Sequence, residues 1–318
     1  MKKVYLFSVL ASLLLASCSK EDIKVSKELN VLAGIGSFST RALVTDASFT
    51  SGSAIAVFVT GTGYTSTATT YTLSGTTWTA VAPIYLTGNP ASVYGYYPAN
   101  AANSGGTLSA ASTVTATLFA APSSGISTEA SFTGANQTDY MWATPKTVDS
   151  KSNDTVSMTY NHALTRIAFV IVKDANYPTA PGSGIITSIQ LIAATAILPT
   201  AGTFKVSDGT FMATTGSNAS TLQFTPAATT YINAAGTSTE TACGLVAPTT
   251  TALTGIGLTM IIDGKTMTAN GFPSSPTWLS GNSYTYTVTV SPTALIVSPT
   301  VTIAPWTVGT PVTGITAY

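Results

Sequence analysis

Side chains that carry out acid–base, nucleophilic or metal chemistry are scarce in this chain. Its 318 residues include one histidine, His162, and two cysteines, Cys18 and Cys243. These leave almost nothing from which to build a His-based triad, a zinc centre or a disulfide framework. We therefore expect no enzymatic activity, no cofactor and no metal. His162 is predicted to form structural hydrogen bonds, and Cys243 to be a buried free thiol.

The thiol of Cys18 stands in a pattern that favours lipid attachment. A basic start, Met1-Lys2-Lys3, precedes an apolar stretch that is typical of a signal peptide and too short to span a membrane. The stretch ends in Leu15-Ala16-Ser17-Cys18, which resembles a bacterial lipobox. We predict a signal peptide over residues 1–17, acylation of Cys18 and anchoring in outer-membrane lipid. The alternative is a soluble secretory leader with an accidental cysteine.

The peptide bond after Arg41 is a candidate for proteolytic processing. The chain contains only two arginines, Arg41 and Arg166, and Arg41 follows a run of small and polar residues. Proteases cut preferentially in such exposed linkers, so an Arg-directed protease is predicted to cut between Arg41 and Ala42. The alternative is that Arg41 is a solvated loop residue without a processing role.

The charge composition excludes whole classes of partner. Charged residues make up 8% of the chain, and 12 basic side chains balance 12 acidic ones. Such a chain has no electrostatic field with which to gather nucleic acid. Since 45% of the residues are hydrophobic, the chain has ample material for folded cores.

Hydrophobic residues recur with a period of two, which predicts an all-β fold. In residues 284–290, tyrosines and valines alternate with threonines, as in a half-buried strand. Asp263-Gly264 and Asp208-Gly209 each separate two strand-like runs and predict tight hairpins, and a further turn is expected at Ser74-Gly75.

The segment after the lipid site has the pattern of an additional strand. Apolar residues occupy its odd positions, while even positions are mostly polar; Lys27 and Leu32 are exceptions. An extended backbone would point one apolar row toward a core. The members of that row are Ile23, Val25, Leu29, Val31, Ala33 and Ile35.

A polar stretch over residues 147–154 separates two strand-rich blocks. We place a boundary there, which gives an N-terminal β-sandwich over residues 42–152 and a C-terminal one over residues 153–318. Residues 18–41 then form a lipidated propeptide.

Several short motifs, taken in order, resemble the fimbrillins of type V pili and the related fimbrillin-like lipoproteins. The resemblance covers most of the chain. One departure lies around Gly52, where the family often has acidic residues and this chain has serines. Besides the lipobox, the motifs are Thr40-Arg41-Ala42, Ser51 to Phe58, Val93 to Pro98, Asp139 to Ala143, Asn161 to Phe169, Trp278 to Tyr284 and Val301 to Trp306.

This resemblance implies two transthyretin-like β-sandwich domains in tandem and assembly by strand exchange. In that scheme a processing protease cuts after Arg41, the strand holding Ile23 to Ile35 leaves a groove, and a C-terminal segment of a neighbouring subunit fills it. The implied partners are other copies of the chain or related pilus subunits. The implied location is the outer membrane, the cell surface and the fimbrium, with adhesion as the outcome.

The predicted donor strand lies within residues 295–318. Its prolines suit an edge or inserted strand rather than a central one. The alternative is that the part up to Trp306 completes the second sandwich. The apolar residues of the donor are Leu295, Val297, Val301, Ile303, Val312 and Ile315.

Two further hypotheses concern modification and an alternative function. Asp154-Thr155-Val156 resembles a short O-glycosylation site of some outer-membrane lineages, which makes Thr155 a candidate. The 14 tyrosines and four tryptophans allow the alternative of a monomeric cell-surface lipoprotein that binds glycans through exposed rings.

Overall fold

The computed structural model of the protein describes residues 26–35, 49–118, 137–149, 151, 153–178, 183–224, 230–249, 255–269 and 277–305. Within these ranges the chain forms strands, turns and bends but no helix, which confirms the predicted all-β fold class. Accordingly, the described residues hold no helix that is long and apolar enough to cross a membrane.

The strands follow one another in short segments along the chain. In order, they are β1 (Lys27–Glu28), β2 (Asn30–Ile35), β3 (Ala54–Thr60), β4 (Thr69–Ser74), β5 (Thr77–Ala80), β6 (Tyr85–Leu86), β7 (Ala91–Tyr97), β8 (Thr113–Thr117), β9 (Met141–Ala143), β10 (Lys146–Val148), β11 (Thr155–His162), β12 (Thr165–Lys173), β13 (Ile185–Ala193), β14 (Leu198–Pro199), β15 (Ala201–Lys205), β16 (Phe211–Ala213), β17 (Asn218–Ala219), β18 (Thr221–Phe224), β19 (Thr230–Tyr231), β20 (Ala242–Val246), β21 (Ile256–Ile262), β22 (Lys265–Ala269), β23 (Asn282–Val290) and β24 (Leu295–Pro305).

The first half of the chain is built on one sheet with the strand order β2-β11-β9-β7-β3-β4-β5, and β10 also pairs with β7. β2 runs parallel to β11, whereas the other pairs are antiparallel. The sheet curls so that its two end strands meet: Trp78 on β5 donates a hydrogen bond to the carbonyl of Ala33 on β2. Its interior is a core of Leu29, Val31, Ile55, Val57, Val59, Tyr71, Leu86, Ala91, Val93, Met141, Ala143, Val148, Val156, Met158 and Tyr160.

The second half forms a β-sandwich. One sheet has the order β20-β12-β23-β24, and the other has the order β18-β13-β21-β22 with β19 paired to β13. Phe169 on β12 packs edge-on against Phe224 on β18, with ring centroids 5.4 Å apart, so these two sheets share one core. β12 is buried from Thr165 to Val172, as its central position and its apolar run from Ile167 to Val172 favour.

The predicted turns and the predicted strand alternation are confirmed. β21 and β22 are joined by Asp263 and Gly264, whose φ angles of 49° and 74° are those of a two-residue hairpin turn. The Asp208-Gly209 turn joins β15 to β16, and the Ser74-Gly75 turn joins β4 to β5. On β23, tyrosines and valines from Tyr284 onward are buried while the threonines between them are partly exposed.

Strand pairing crosses the predicted boundary between residues 152 and 153. β11 lies after that boundary and pairs with β2 and β9 of the first sheet. β8 lies before it and pairs with β15, beside β16. The division into two tandem transthyretin-like domains at this point stays a prediction.

Candidate functional site

The N-terminal segment from Lys27 to Ile35 lies along the edge of the first sheet and is bonded on both of its sides. β1 pairs with β6 on one side, and β2 pairs in parallel with β11 on the other. Leu29 stands between the two short pairings. This segment contains four of the six residues predicted to form the removable strand, and Ile23 and Val25 lie outside the described residues.

The backbone of β2 divides its hydrogen bonds by residue parity. The N–H of Asn30 donates to the carbonyl of Asp154 at 2.8 Å, so even-numbered residues face β11, as parallel pairing requires. The odd-numbered residues face the other way. The N–H of Leu29 donates to the carbonyl of Ile84 at 2.8 Å.

Two aromatic side chains bond to the carbonyls that face away from β11. The Tyr71 hydroxyl donates to the carbonyl of Leu29 at 3.1 Å, and the indole N–H of Trp78 donates to the carbonyl of Ala33 at 3.2 Å. Burial, with a smaller contribution from Glu28, raises the pKa of Tyr71 to about 12, so the phenol stays protonated and able to donate at neutral pH.

The odd-numbered side chains from Leu29 to Ile35 enter the core of the first sheet. Leu29 is 1% exposed and Val31 is 3% exposed, while Ala33 and Ile35 are half-buried against the same core. Leu32 points outward and is 54% exposed. Full burial of the first two side chains contributes on the order of 3–6 kcal/mol.

An aromatic cluster lies against Trp78. Phe49 packs at its centre, 5.2 Å from Trp78, 5.3 Å from Tyr160 and 5.5 Å from Tyr97 between ring centroids. Tyr160 is fully buried, and burial raises the pKa of its phenol. Its hydroxyl is held without a hydrogen-bond partner among the described residues.

Of the predicted modification sites, the structure describes the candidate glycosylation residue but not the lipidation and cleavage residues. Cys18, Arg41 and Ala42 lie outside the described residues. Thr155 is the first residue of β11 and stands beside Asn30 in the parallel register. Its hydroxyl donates to the Asp154 carboxylate at 3.3 Å, and its O-glycosylation stays a prediction.

Arg166 is held in a buried ion pair. Its guanidinium bonds to both carboxylate oxygens of Glu240 and, at 3.0 Å, to the hydroxyl of Ser283. Burial alone would lower the pKa of Arg166, but the bonds to Glu240 outweigh it and raise that pKa above its ordinary value. The residue is only 6% exposed, so a protease has no access to this arginine in the folded chain.

The C-terminal strand β24 is the outer strand of its own sheet and runs antiparallel to β23. Leu295 is buried, and Val297 and Val301 are half-buried against the larger core. Ile303 belongs to β24, but its side chain lies outside the description, as do Val312 and Ile315 entirely.

His162 and Cys243 are both buried. The Nδ1 atom of His162 lies 2.7 Å from an Asp139 carboxylate oxygen, and its backbone carbonyl accepts a hydrogen bond from Ser280. Cys243 pairs with Ala168 in the β12–β20 ladder. Among the described residues, no three His, Cys, Asp or Glu side chains cluster closely enough to hold a metal ion.

Most aromatic rings serve the cores. Within the described ranges, only Tyr85 and Tyr231 are exposed, at 55% and 44%. They belong to different sheets, since β6 pairs with β1 and β19 pairs with β13. The described residues therefore offer no feature that favours the glycan-binding alternative.

The model of the fimbrillin-like family matches residues 40–306. The chain belongs to the fimbrillin-like family. This assignment confirms the resemblance seen in the sequence, makes the chain a structural protein rather than an enzyme, and supports a pilus-type adhesion subunit of a cell-surface appendage. No curated protein matches the chain significantly.

Solved structures share the fimbrillin-like fold. The chain is similar to a candidate cell adhesion protein from Bacteroides ovatus (TM-score 0.66, 19% identity, covering 90% of this chain and 99% of that one). It is also similar to a candidate cell adhesion protein from Bacteroides uniformis (0.61, 20%, 90% and 99%) and to a fimbrial protein from Bacteroides vulgatus (0.58, 16%, 88% and 99%). At these identities the likeness shows the fold alone.

Proposed function

We propose that this fimbrillin-like chain is a pilus subunit that supports adhesion and polymerises by strand exchange. It is exported as a lipoprotein acylated at Cys18 and anchored in the outer membrane. A protease cuts between Arg41 and Ala42, and the strand containing Ile23 to Ile35 leaves. A C-terminal segment from another copy, or from a related pilus subunit, takes its place.

One observation carries the proposal. Among the described residues β2 has one strand neighbour, β11, yet Val31 on β2 and Leu29 just before it fill the core of the first sheet. Its departure would uncover the β11 edge, the space of these two side chains and the donors of Tyr71 and Trp78. Unpaired strand edges of this kind are satisfied by another extended chain.

Two findings support Arg41 as the processing site. The only other arginine, Arg166, is enclosed in its ion pair with Glu240. The match to the fimbrillin-like family model begins at residue 40, next to Arg41 and after β2. A cut after Arg41 would therefore separate β2 from nearly all of the matched region.

The donor in this scheme comes from residues 295–318. Among the described residues β24 pairs only with β23, and its prolines suit an edge or inserted strand. The alternative, that β24 remains with its own sheet, leaves Val312 and Ile315 as the donor's apolar residues.

Protease treatment of the purified full chain tests the proposal. An Arg-specific protease should release a chain beginning at Ala42, which then forms ladders of polymers on denaturing gels and fibres in electron micrographs. Arg41→Gln should block both results, whereas Arg166→Gln should leave the cut after Arg41 in place. A clipped chain that loses its N-terminal segment and stays monomeric would contradict strand exchange.

The lipoprotein step has its own test in cells. Cys18→Ala should abolish labelling by radioactive palmitate and reduce the surface display of fibres. Mass spectrometry of assembled fibres should find chains that begin at Ala42. Fibres made of chains that still begin at Cys18 would contradict the processing step.

A further inference from the structure

The site that holds β2 makes two contacts to it that do not depend on side-chain identity. Tyr71 and Trp78 bond to main-chain carbonyls four residues apart, those of Leu29 and Ala33. Any strand has carbonyls at this spacing on one side. These two donors therefore fix where an incoming strand lies and which way its backbone faces, whatever its sequence.

The parity of the hydrogen bonds limits where a proline can stand in such a strand. The N–H groups of even positions bond to β11, as Asn30 does to Asp154. Those of odd positions face away from β11. A proline, which has no N–H, can therefore occupy the places of Ala33 or Ile35 without loss of a bond to β11.

A segment of β24 has the apolar spacing of β2. Leu29, Val31, Ala33 and Ile35 occur at intervals of two, and so do Leu295, Val297, Pro299 and Val301. In this alignment the proline falls at the place of Ala33, where its missing N–H costs no bond to β11.

Other registers fit less well. A shift of two residues places Pro299 in the enclosed space of Val31 or, in the other direction, brings Thr293 into the space of Leu29, and a shift of four residues places Pro299 in the enclosed space of Leu29. A shift of six residues places Val301 and Ile303 in the two deep spaces but brings Thr307 to the half-buried position of Ile35.

We infer that a clipped subunit binds β24 of a second copy parallel to β11 in a single register, with Leu295 at the place of Leu29, and that Tyr71 and Trp78 position it. The inference rests on the proposed strand exchange. β24 gains by the move, because among the described residues it pairs on one side only in its own sheet and leaves Val297 half-buried, whereas the place of Val31 is buried. At the β2 site, both sides of the backbone are bonded.

Paired cysteines test the register. Ser157 is the outward residue of β11 beside Leu32, and the inferred register brings Ser298 to that place. Fibres of the Ser157→Cys/Ser298→Cys variant should form intermolecular disulfides, because neighbouring strands hold paired Cα atoms within disulfide range. Ser157→Cys/Ala304→Cys is the matched control, since Ala304 would reach Ser157 only in the six-residue shift.

Background thiols should not interfere with this test. Cleavage after Arg41 removes Cys18, and Cys243 is buried. Uncut protein that carries Cys18→Ala should give no disulfide-linked dimer with either pair. Fibres cross-linked only by the Ala304→Cys pair, or by neither pair, would overturn the inferred register while leaving strand exchange intact. A failure to form fibres at all would count against the proposed function instead.

Conservative variants test the two positioning residues. Tyr71→Phe and Trp78→Phe each keep a ring and remove one donor, so the affinity of the clipped chain for a labelled peptide of residues 295–305 should fall about fivefold for each. Fibres of either variant in the cysteine background should also lose selectivity between Ser298 and Ala304. Unchanged affinity together with unchanged selectivity would overturn the positioning role.

Discussion

The indole N–H of Trp78 donates to the backbone carbonyl of Ala33 over 3.2 Å, which joins the two edge strands of the first sheet. Trp78 is half-buried, and it packs against Phe49 as well as bonding to β2. Because Ala33 accepts its hydrogen bond, the surroundings of the indole ring depend on whether β2 is in place. The same tryptophan therefore links the fold of the precursor to its proposed processing.

Trp78 should report the departure of β2 by its fluorescence. Loss of the N-terminal segment after cleavage removes the hydrogen-bond acceptor and admits water, so emission should shift to longer wavelength and return when a strand refills the site. In a Trp306→Phe background, Trp78→Phe should remove most of this shift, because Trp142 and Trp278 lie away from β2 on β9 and beside β23. A shift of equal size in the variant would assign it to another tryptophan.

Leu29 should contribute far more to stability than Leu32. Leu29→Ala removes a fully buried side chain and should lower the free energy of unfolding of the uncut protein by about 2–4 kcal/mol. Leu32→Ala, at a position 54% exposed, should change it by less than about 0.5 kcal/mol. Urea denaturation measures both, and equal effects would contradict the burial of the odd-numbered row.

Gln137 should be required at the edge of β20 that has no strand neighbour among the described residues. Its buried side-chain amide donates to the carbonyl of Leu245 and accepts from the N–H of Leu245, both at 2.7 Å. Gln137→Met would leave these two backbone groups unpaired and should cost about 2–4 kcal/mol in the free energy of unfolding. Gln190→Met, which removes only a partly exposed bond to Gln223, is the control and should cost about 1 kcal/mol or less.

The local features of this fold could be predicted from sequence, whereas the contacts that define the site could not. The alternation with a period of two predicts which side chains of β2 point inward. Asp263-Gly264 predicts the β21–β22 hairpin, because both residues of such a turn have positive φ. The bond from Tyr71 to Leu29 spans 42 residues and that from Gln137 to Leu245 spans 108. Such contacts depend on how strands are ordered in space, which alternation within a strand does not encode.

Acid should weaken the β15–β16 turn through Asp208. Burial acts to raise the pKa of Asp208, but hydrogen bonds from Thr210 and the nearby ammonium of Lys205 lower it to about 2. Because the unfolded chain then binds the proton more readily, the stabilisation is present above about pH 4 and is lost as the pH falls toward 2.

The expected contribution of Asp208 is below about 1 kcal/mol because the side chain is half-exposed. Asp208→Asn should flatten the dependence of melting temperature on pH in this range, and Lys205→Gln should flatten it partly. An unchanged profile in both variants would show that the turn does not contribute.

Gly95 and Tyr160 should be energetically coupled. A Cβ atom added to Gly95 would lie 2.3 Å from the Tyr160 hydroxyl oxygen and 2.9 Å from the Met158 methyl, so Gly95→Ala should destabilise the protein by about 1–3 kcal/mol. Tyr160→Phe alone removes a buried hydroxyl that has no partner among the described residues, so it should be neutral or stabilising.

In the Tyr160→Phe background the closest clash disappears, while the Met158 contact remains. Gly95→Ala should then cost less, but not nothing, in a double-mutant cycle followed by chemical denaturation. Strict additivity would mean that the hydroxyl is not what excludes a side chain from position 95.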